Sequence, residues 1–203
     1  MAEQQHRSAM RERMDRGELY RADAPDLLAA RVRAQRLQYA YNATEPGDGR
    51  SRAALLAELL GEVGDGVVVL PSFRCDYGFN IAIGAGTFVN FDAVLLDTSA
   101  IRIGAACQLA PRVQLLTATH PVDPGPRRAG WEYSEPITLG DNVWLGGGVI
   151  VCPGVTIGDD TVVGAGAVVT RDLPPGVVAV GNPARVLRAI GPDDRVETPE
   201  PDA

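Results

Sequence analysis

The sequence predicts a β-solenoid, and three observations carry that prediction. From Leu139 onward an aliphatic residue recurs every six positions: Leu139, Leu145, Val151, Ile157, Val163 and Val169. Two positions before each stands a second small or branched residue: Ile137, Val143, Val149, Val155, Thr161 and Ala167. Gly follows the first row at Gly140, Gly146, Gly158 and Gly164. A helix repeats every 3.6 residues and disfavours this much Gly and Val, and an amphipathic strand alternates every two. Period six fits very short strands joined by tight corners and wound into a coil, one aliphatic per hexad pointing inward. Gly at the corners is expected to take backbone angles that a Cβ would forbid. A Val/Gly-rich sandwich, the competing architecture, holds no fixed period.

The elements follow in order. Residues 1–64 read as a helical segment. Met10 and Met14 lie four apart in a charged stretch that Gly17 breaks. Asp23, Pro25 and Asp26 resemble a helix start, with Asp23 as its cap, and Leu27, Ala30, Ala34, Leu37 and Tyr41 follow at helical spacing. Ser51 is placed to cap a third helix with Leu55, Leu56, Leu59, Leu60 and Val63 on its apolar face. The coil is expected over 65–180. Residues 67–70 read as a strand, 71–80 as irregular, and regular hexads begin at Ile81. Openers Ile83, Val89 and Leu95 are followed by Ile103 after a two-residue slip, then Leu109 and Leu115. Residues 119–136 are polar, Pro-rich and off the period, an excursion read as a functional loop because it begins with His120. Residues 181–203 are expected to supply a short capping helix and an acidic, Pro-rich, disordered tail.

Net charge is −7, with no Lys/Arg block, which argues against a nucleic-acid partner. No apolar run is long enough to span a bilayer, and the N-terminus lacks the apolar stretch of a secretory signal. Cys75, Cys107 and Cys152 are odd in number and show no paired spacing, so a reducing, cytoplasmic setting is expected. Cys107 falls in an inward row and reads as a buried small hydrophobe.

Of the two histidines, His6 sits near the N-terminus and reads as solvated, while His120 stands at the root of the excursion. Imidazole titrates near neutrality and is the natural general base for a hydroxyl or amine nucleophile; a structural surface His is the competing reading. Asp123, Glu132 and Glu135 are nearby acids able to orient it, and separation does not choose among them. No nucleophile elbow or phosphate loop is present. One internal His cannot supply a three-His zinc site, so no metal is expected.

Several motifs lie outside the generic repeat: GELYRAD (17–23), PSFRCDYGFNI (71–81), NFD (90–92), TATHPVDP (117–124), the run at 142–160, GAGAVVTRD (164–172) and GNPAR (181–185). On these, residues 10–190 resemble the maltose and galactoside O-acetyltransferases of the hexapeptide-repeat superfamily. The resemblance implies a left-handed parallel β-helix, a homotrimer with active sites between neighbouring subunits, and acetyl-CoA as cosubstrate. It makes His120 the base that deprotonates a sugar hydroxyl attacking the thioester. It places Asn90 and Asp76 against the acceptor, Asn90 also serving the oxyanion; turn residues are their bland alternative. Asp23 matches the segment that covers the acceptor site, and Asp97 lies near that site or is a corner acid. Trp144, Ala110, Gly146 and Gly147 match the wall along which the pantetheine arm lies. Ala165, Thr170 and Arg171 match the adenosine end. Arg185 and Arg188, placed on the terminal helix, match the residues that meet phosphates, a solvated helix face being the alternative. A maltose- or glucose-type acceptor is the first expectation. A lipo-oligosaccharide, a nucleotide sugar or an amine comes next, and a non-catalytic assembly module is the reading from another class.

Overall fold

The computed structural model describes residues 7–199; the reading of His6 falls outside them, as does part of the expected acidic tail. Three helices lead. α1 (Ala9–Asp15) is capped by Ser8, whose side chain accepts from the Arg11 N–H. α2 (Pro25–Asn42) and α3 (Gly49–Leu59) follow. Two expected caps are corrected. Ala24, not Asp23, is the N-cap of α2 and offers no side-chain bond, and Asp23 pairs with Arg21 instead. The carboxylate of Asp48 caps α3 by accepting from the Ser51 N–H, so Ser51 receives the cap rather than supplying it. Asp reaches an N2 or N3 amide with favourable charge, which makes it at least as good a cap as Ser.

The coil then winds through short strands on three faces. The first face holds β1 (Glu62–Val63), β4 (Ile81–Ile83), β7 (Ile101–Ile103), β12 (Ile137–Leu139) and β15 (Thr156–Ile157). The second holds β2 (Val68–Val69), β5 (Phe88–Val89), β8 (Gln108–Leu109), β13 (Trp144–Leu145), β16 (Val162–Val163) and β18 (Val177–Val180). The third holds β3 (Phe73–Cys75), β6 (Ala93–Leu96), β9 (Gln114–Leu116), β14 (Ile150–Val151) and β17 (Val168–Val169). Neighbouring coils pair in parallel, as in Val68 with Phe88 and Phe88 with Gln108. Residues 71–80, expected to be irregular, contribute β3, which pairs with β6. The two inward rows are buried as expected, Cys107 among them, and they line one continuous core.

The glycines that follow the openers are explained differently from the expectation. Gly104 has no positive φ, but a Cβ there would lie 2.4 Å from the Gly140 carbonyl oxygen of the next coil. Close approach of stacked backbones, not backbone angle, demands Gly at that slot. The left-handed angle falls two positions later, at Ala106, Asn142, Gly148 and Asp160 among others. The short polar side chains there tolerate it: Asn142 donates from Nδ2 to Asp160 Oδ1 at 2.8 Å across the coils.

Both ends of the coil are closed. At the N-terminal end β3 is an edge strand, and α2 satisfies its free backbone groups with two side-chain amides one helical turn apart. Gln38 bonds the Cys75 N–H and C=O at 2.9 and 3.1 Å, and Asn42 bonds those of Phe73 at 2.9 and 3.0 Å. The amides act as a pseudo-strand that pairs the edge-facing backbone groups of Phe73 and Cys75. At the other end the expected capping helix is replaced by a strand. β19 (Arg185–Ala189) pairs antiparallel with β18, and only a short 3-10 turn, Pro192–Asp194, follows. The alternating β-branched run Val177–Val180 leaves a sheet edge open, and an antiparallel return covers it directly.

The excursion is a hairpin. β10 (Ala118–Thr119) pairs antiparallel with β11 (Tyr133–Ser134), and a one-turn helix, α4 (Pro124–Arg128), lies between them. No helix among the described residues is long and apolar enough to cross a membrane.

Candidate active site

The coil positions the candidate residues through its period. Register partners are 20 residues apart in the first coils, as in Ala82 with Arg102, but 18 apart later, as in Thr138 with Thr156. The surplus falls at the edge between the third and first faces, where the chain runs from Cys75 to Ile81 and from Leu96 to Ile101. The excursion leaves from this same edge one coil later. Asp76 and Asp97 therefore sit at equivalent corners of one edge of the prism, and the excursion that carries His120 leaves from that edge.

Asp97 organises it. Its carboxylate is 0% exposed and accepts from the backbone N–H of Tyr77 (2.8 Å), Asp76 (3.0 Å) and Asn80 (3.2 Å). Burial pushes its carboxyl up to about 6, against the pull of those donors. Every oxygen is thus taken by the protein's own backbone. The expected acceptor contact at Asp97 is corrected to the corner role, which pins the turn presenting Asp76. One level up, Thr117 donates to the Leu96 carbonyl, accepts from the Ser99 N–H at 3.0 Å, and lies 3.1 Å from the Thr98 hydroxyl, anchoring the excursion's root.

Asp76 is half-buried, and burial raises its carboxyl, a shift that Arg31 opposes and Glu132 reinforces. Arg31 Nε stands 3.9 Å from Asp76 Oδ1, its Nη2 reaches the Tyr77 hydroxyl at 3.3 Å, and its guanidinium lies 5.5 Å from the Tyr77 ring centroid. Arg31 went unread in the sequence. The signal was there: the buried stripe of α2 is Leu27, Ala34, Gln38 and Tyr41, and Arg31 sits on it by heptad spacing. A charge and an amide on an inward stripe mark residues that reach the coil, Arg31 and Gln38. Asp23 lies beside Arg31 in a shallow depression of about 320 Å³ that also includes Gly130 of the excursion. His120 is exposed at the hairpin's end, one residue beyond β10.

The remaining candidates lie elsewhere on the prism. Asn90, Ala110 and Gly146 form a ladder along the edge between the second and third faces: the N–H of Asn90 bonds the Leu109 carbonyl and that of Ala110 the Leu145 carbonyl, both at 2.9 Å. Gly147 and Ala165 continue this edge. Asn90 Oδ1 accepts from the Phe91 N–H at 2.8 Å, which occupies the oxygen and leaves the NH2 as the group of this amide to donate. Trp144 stands on the second face, flanked by Gln108 and Val162, and is 53% exposed. So large an exposed aromatic on a repeat face is a surface made for contact. Arg185 and Arg188 lie on β19, at the C-terminal end of that same face, rather than on a helix. Arg188 is held by Asp194 through bonds of 2.6 and 2.7 Å, which depress the Asp194 carboxyl to about 2. Thr170 and Arg171 are exposed after β17, back on the third–first edge. A single chain thus divides its candidates between two edges and the second face, with Asn90 and Trp144 away from the edge from which the His120 excursion leaves.

Comparison with known proteins agrees with this architecture. A family profile described as the maltose acetyltransferase hexapeptide capping motif matches residues 13–64, and one described as bacterial transferase hexapeptide (six repeats) matches residues 136–171. Nodulation protein L of Rhizobium meliloti (strain 1021) is 49% identical over 87% of this chain and 96% of its own length. The crystal structure of a maltose O-acetyltransferase from Clostridium difficile 630 superposes with a TM-score of 0.89 at 45% identity, covering 91% of this chain and 98% of that one. A galactoside acetyltransferase in complex with coenzyme A gives a TM-score of 0.89 at 40% identity, covering 93% and 94%. With family profiles matching both the helical cap and the repeats, and relatives of 40–49% identity covered over most of both chains, the chain belongs to the maltose and galactoside O-acetyltransferase family of hexapeptide-repeat acetyltransferases.

Proposed function

We propose that this protein transfers the acetyl group of acetyl-CoA directly to a hydroxyl of a maltose- or glucose-type sugar, with His120 as general base. The observation that carries the reading is the third–first edge. There the excursion that carries His120 leaves the coil, from the edge that also holds the half-buried Asp76 and its Arg31 partner. One imidazole nitrogen takes the proton of the acceptor hydroxyl as its oxygen attacks the thioester carbonyl. The resulting oxyanion is met by the amide NH2 of Asn90. Collapse breaks the C–S bond, and the imidazolium returns the proton to the departing thiolate. No acyl-enzyme forms, so both substrates must be bound together.

Placement of Asn90 on a different edge from the His120 excursion, and of Trp144 on the second face, supports sites shared between subunits. A heterologous contact that brings one chain's second–third edge to its neighbour's third–first edge closes into a ring, here a homotrimer. In that arrangement the pantetheine arm lies along Ala110, Gly146 and Gly147 beside Trp144. Ala165, Thr170 and Arg171 meet the adenosine end, and Arg185 and Arg188 meet phosphate. The complex of a galactoside acetyltransferase with coenzyme A supports this cosubstrate.

The test is free-thiol release from acetyl-CoA over a panel of maltose, glucose, galactosides, nucleotide sugars and small amines. Release with a sugar is expected, and His120→Ala is expected to lower kcat/KM by about 10²–10⁴ without loss of fold, the usual worth of a general base. Activity retained within about threefold in that variant would remove His120 from the mechanism.

A further inference from the structure

The helical cap carries a group of cations that the acetyltransfer reading leaves unused. Arg7, Arg11 and Arg33 line one depression of about 410 Å³ between α1 and α2, together with Ala30 and Phe79. Asp26 is the one acid in that lining, in a chain whose net charge is −7. The depression shares no lining residue with the one beside Asp23 and Arg31. Phe79 links it to that region from the other side: its ring stacks on Tyr77 at 5.2 Å, and Tyr77 in turn takes Arg31.

The three guanidinium groups are poorly compensated. Arg7 and Arg11 share a single carboxylate, Asp15, each at 2.9 Å. The Arg7 side chain is 67% exposed. Arg33 and Glu58 stand 3.5 Å apart and are both more than half exposed. Such exposed pairs hold weakly, so an incoming anion can compete with them. The Arg11 side chain is only 14% exposed, and its guanidinium lies over the Phe79 ring, 4.0 Å from the centroid, which fixes its place. A charge enclosed to that degree is costly to leave under-neutralised.

The ligand's chemistry follows from the number of donors. A carboxylate offers two oxygens, whereas a phosphate monoester offers three strong acceptors, each able to receive from a guanidinium. Asp26 adds a second requirement. Its Oδ2 accepts from the Ser8 N–H at 3.0 Å, while among the described residues its Oδ1 is buried with no hydrogen-bond partner. A hydroxyl carried by the same ligand supplies the missing donor.

We propose that this depression is a binding site for a phosphate group, and that the phosphate ester of a small hydroxylated molecule, such as a sugar phosphate, matches it best. The site does not depend on the acetyltransfer reading. The experiment is calorimetric titration of inorganic phosphate and of glucose 6-phosphate into the full chain with excess CoA present, so that the groups meeting the cosubstrate's own phosphates are filled. One saturable site per chain is expected, weakening as salt rises. Arg11→Gln and Arg33→Gln should each lower the affinity about tenfold, the order of one charge-assisted hydrogen bond. Arg128→Gln, which removes an exposed arginine of the excursion, should leave it unchanged. Thermal melting checks the fold of each variant, and the exposed Arg33 keeps the test decisive if Arg11→Gln folds poorly. Tighter binding of glucose 6-phosphate identifies the ester as the occupant, and tighter binding of inorganic phosphate the free anion. No saturable binding, or an affinity unmoved by Arg33→Gln, overturns the proposal and leaves the acetyltransfer reading as it stands.

Discussion

Two edges of the same prism were made by opposite means. Along the second–third edge the repeat runs undisturbed: Asn90, Ala110 and Gly146 occupy equivalent slots in successive coils and are joined by backbone hydrogen bonds. The slots of that ladder carry only small groups and one amide, though Phe91 and Arg112 stand exposed beside them. Along the third–first edge the repeat is broken three times in succession, by two enlarged corners and by the excursion, and every break is tied down by side chains. Asp97 binds three backbone amides and Thr117 three partners. Regular backbone suits a long thin ligand that needs only length, whereas chemistry needs side chains aimed individually, and those require departures from period.

The contrast can be broken at its regular side first. Gly104→Ala places a Cβ 2.4 Å from the Gly140 oxygen and should cost about 1–3 kcal/mol, the usual range for overpacking, seen as a lowered Tm. A variant as stable as the native protein would show that the coils have slack and that Gly is dispensable there. Next in size is a pH effect at the irregular edge. The Asp97 carboxyl titrates near 6 when folded and near 3.8 ordinarily. Between those values the folded protein keeps a proton that the unfolded chain has lost, so this group's contribution to stability falls as pH rises through that window and is level above it. Asp97→Asn abolishes the titration. The Tm advantage of the native protein over the variant should therefore be wider at pH 4 than at pH 7, and a gap that widens with rising pH would refute the assignment. The smallest expected effect sharpens the other end of the regular face. Asp194→Asn frees Arg188 from its exposed partner and should lower the KM for acetyl-CoA about two- to threefold, more so at low salt. An unchanged KM would leave Arg188 outside phosphate binding.

Much of the coil was legible in residue order. The inward rows, the two-residue slip before Ile103 and the excursion are periodic or anti-periodic features that any window of a few hexads displays. The stripe of α2 was read less well. Ala30 and Leu37 do pack against the core, as their helical spacing suggests, but Gln38 is buried on the stripe and Arg31 lies on the same line, and an apolar count passes over polar residues that face inward for a reason. The C-terminal segment was misread for a related cause: Val186 and Leu187 beside two arginines carry no period that separates one helical turn from one edge strand, and the open edge of β18 decided between them.

What the sequence determined by itself is the repeat, hence the coil, its core and the place where it is interrupted. These are local rules, repeated often enough to outweigh any single exception. What only the tertiary structure decided is which partners meet across long separations. Gln38 bonds Cys75 and Asn42 bonds Phe73, 37 and 31 residues away, Arg31 reaches Tyr77 across 46, and Tyr20 meets Glu132. The physical reason is that an orphaned strand edge or a buried charge takes its partner from whatever the fold brings near.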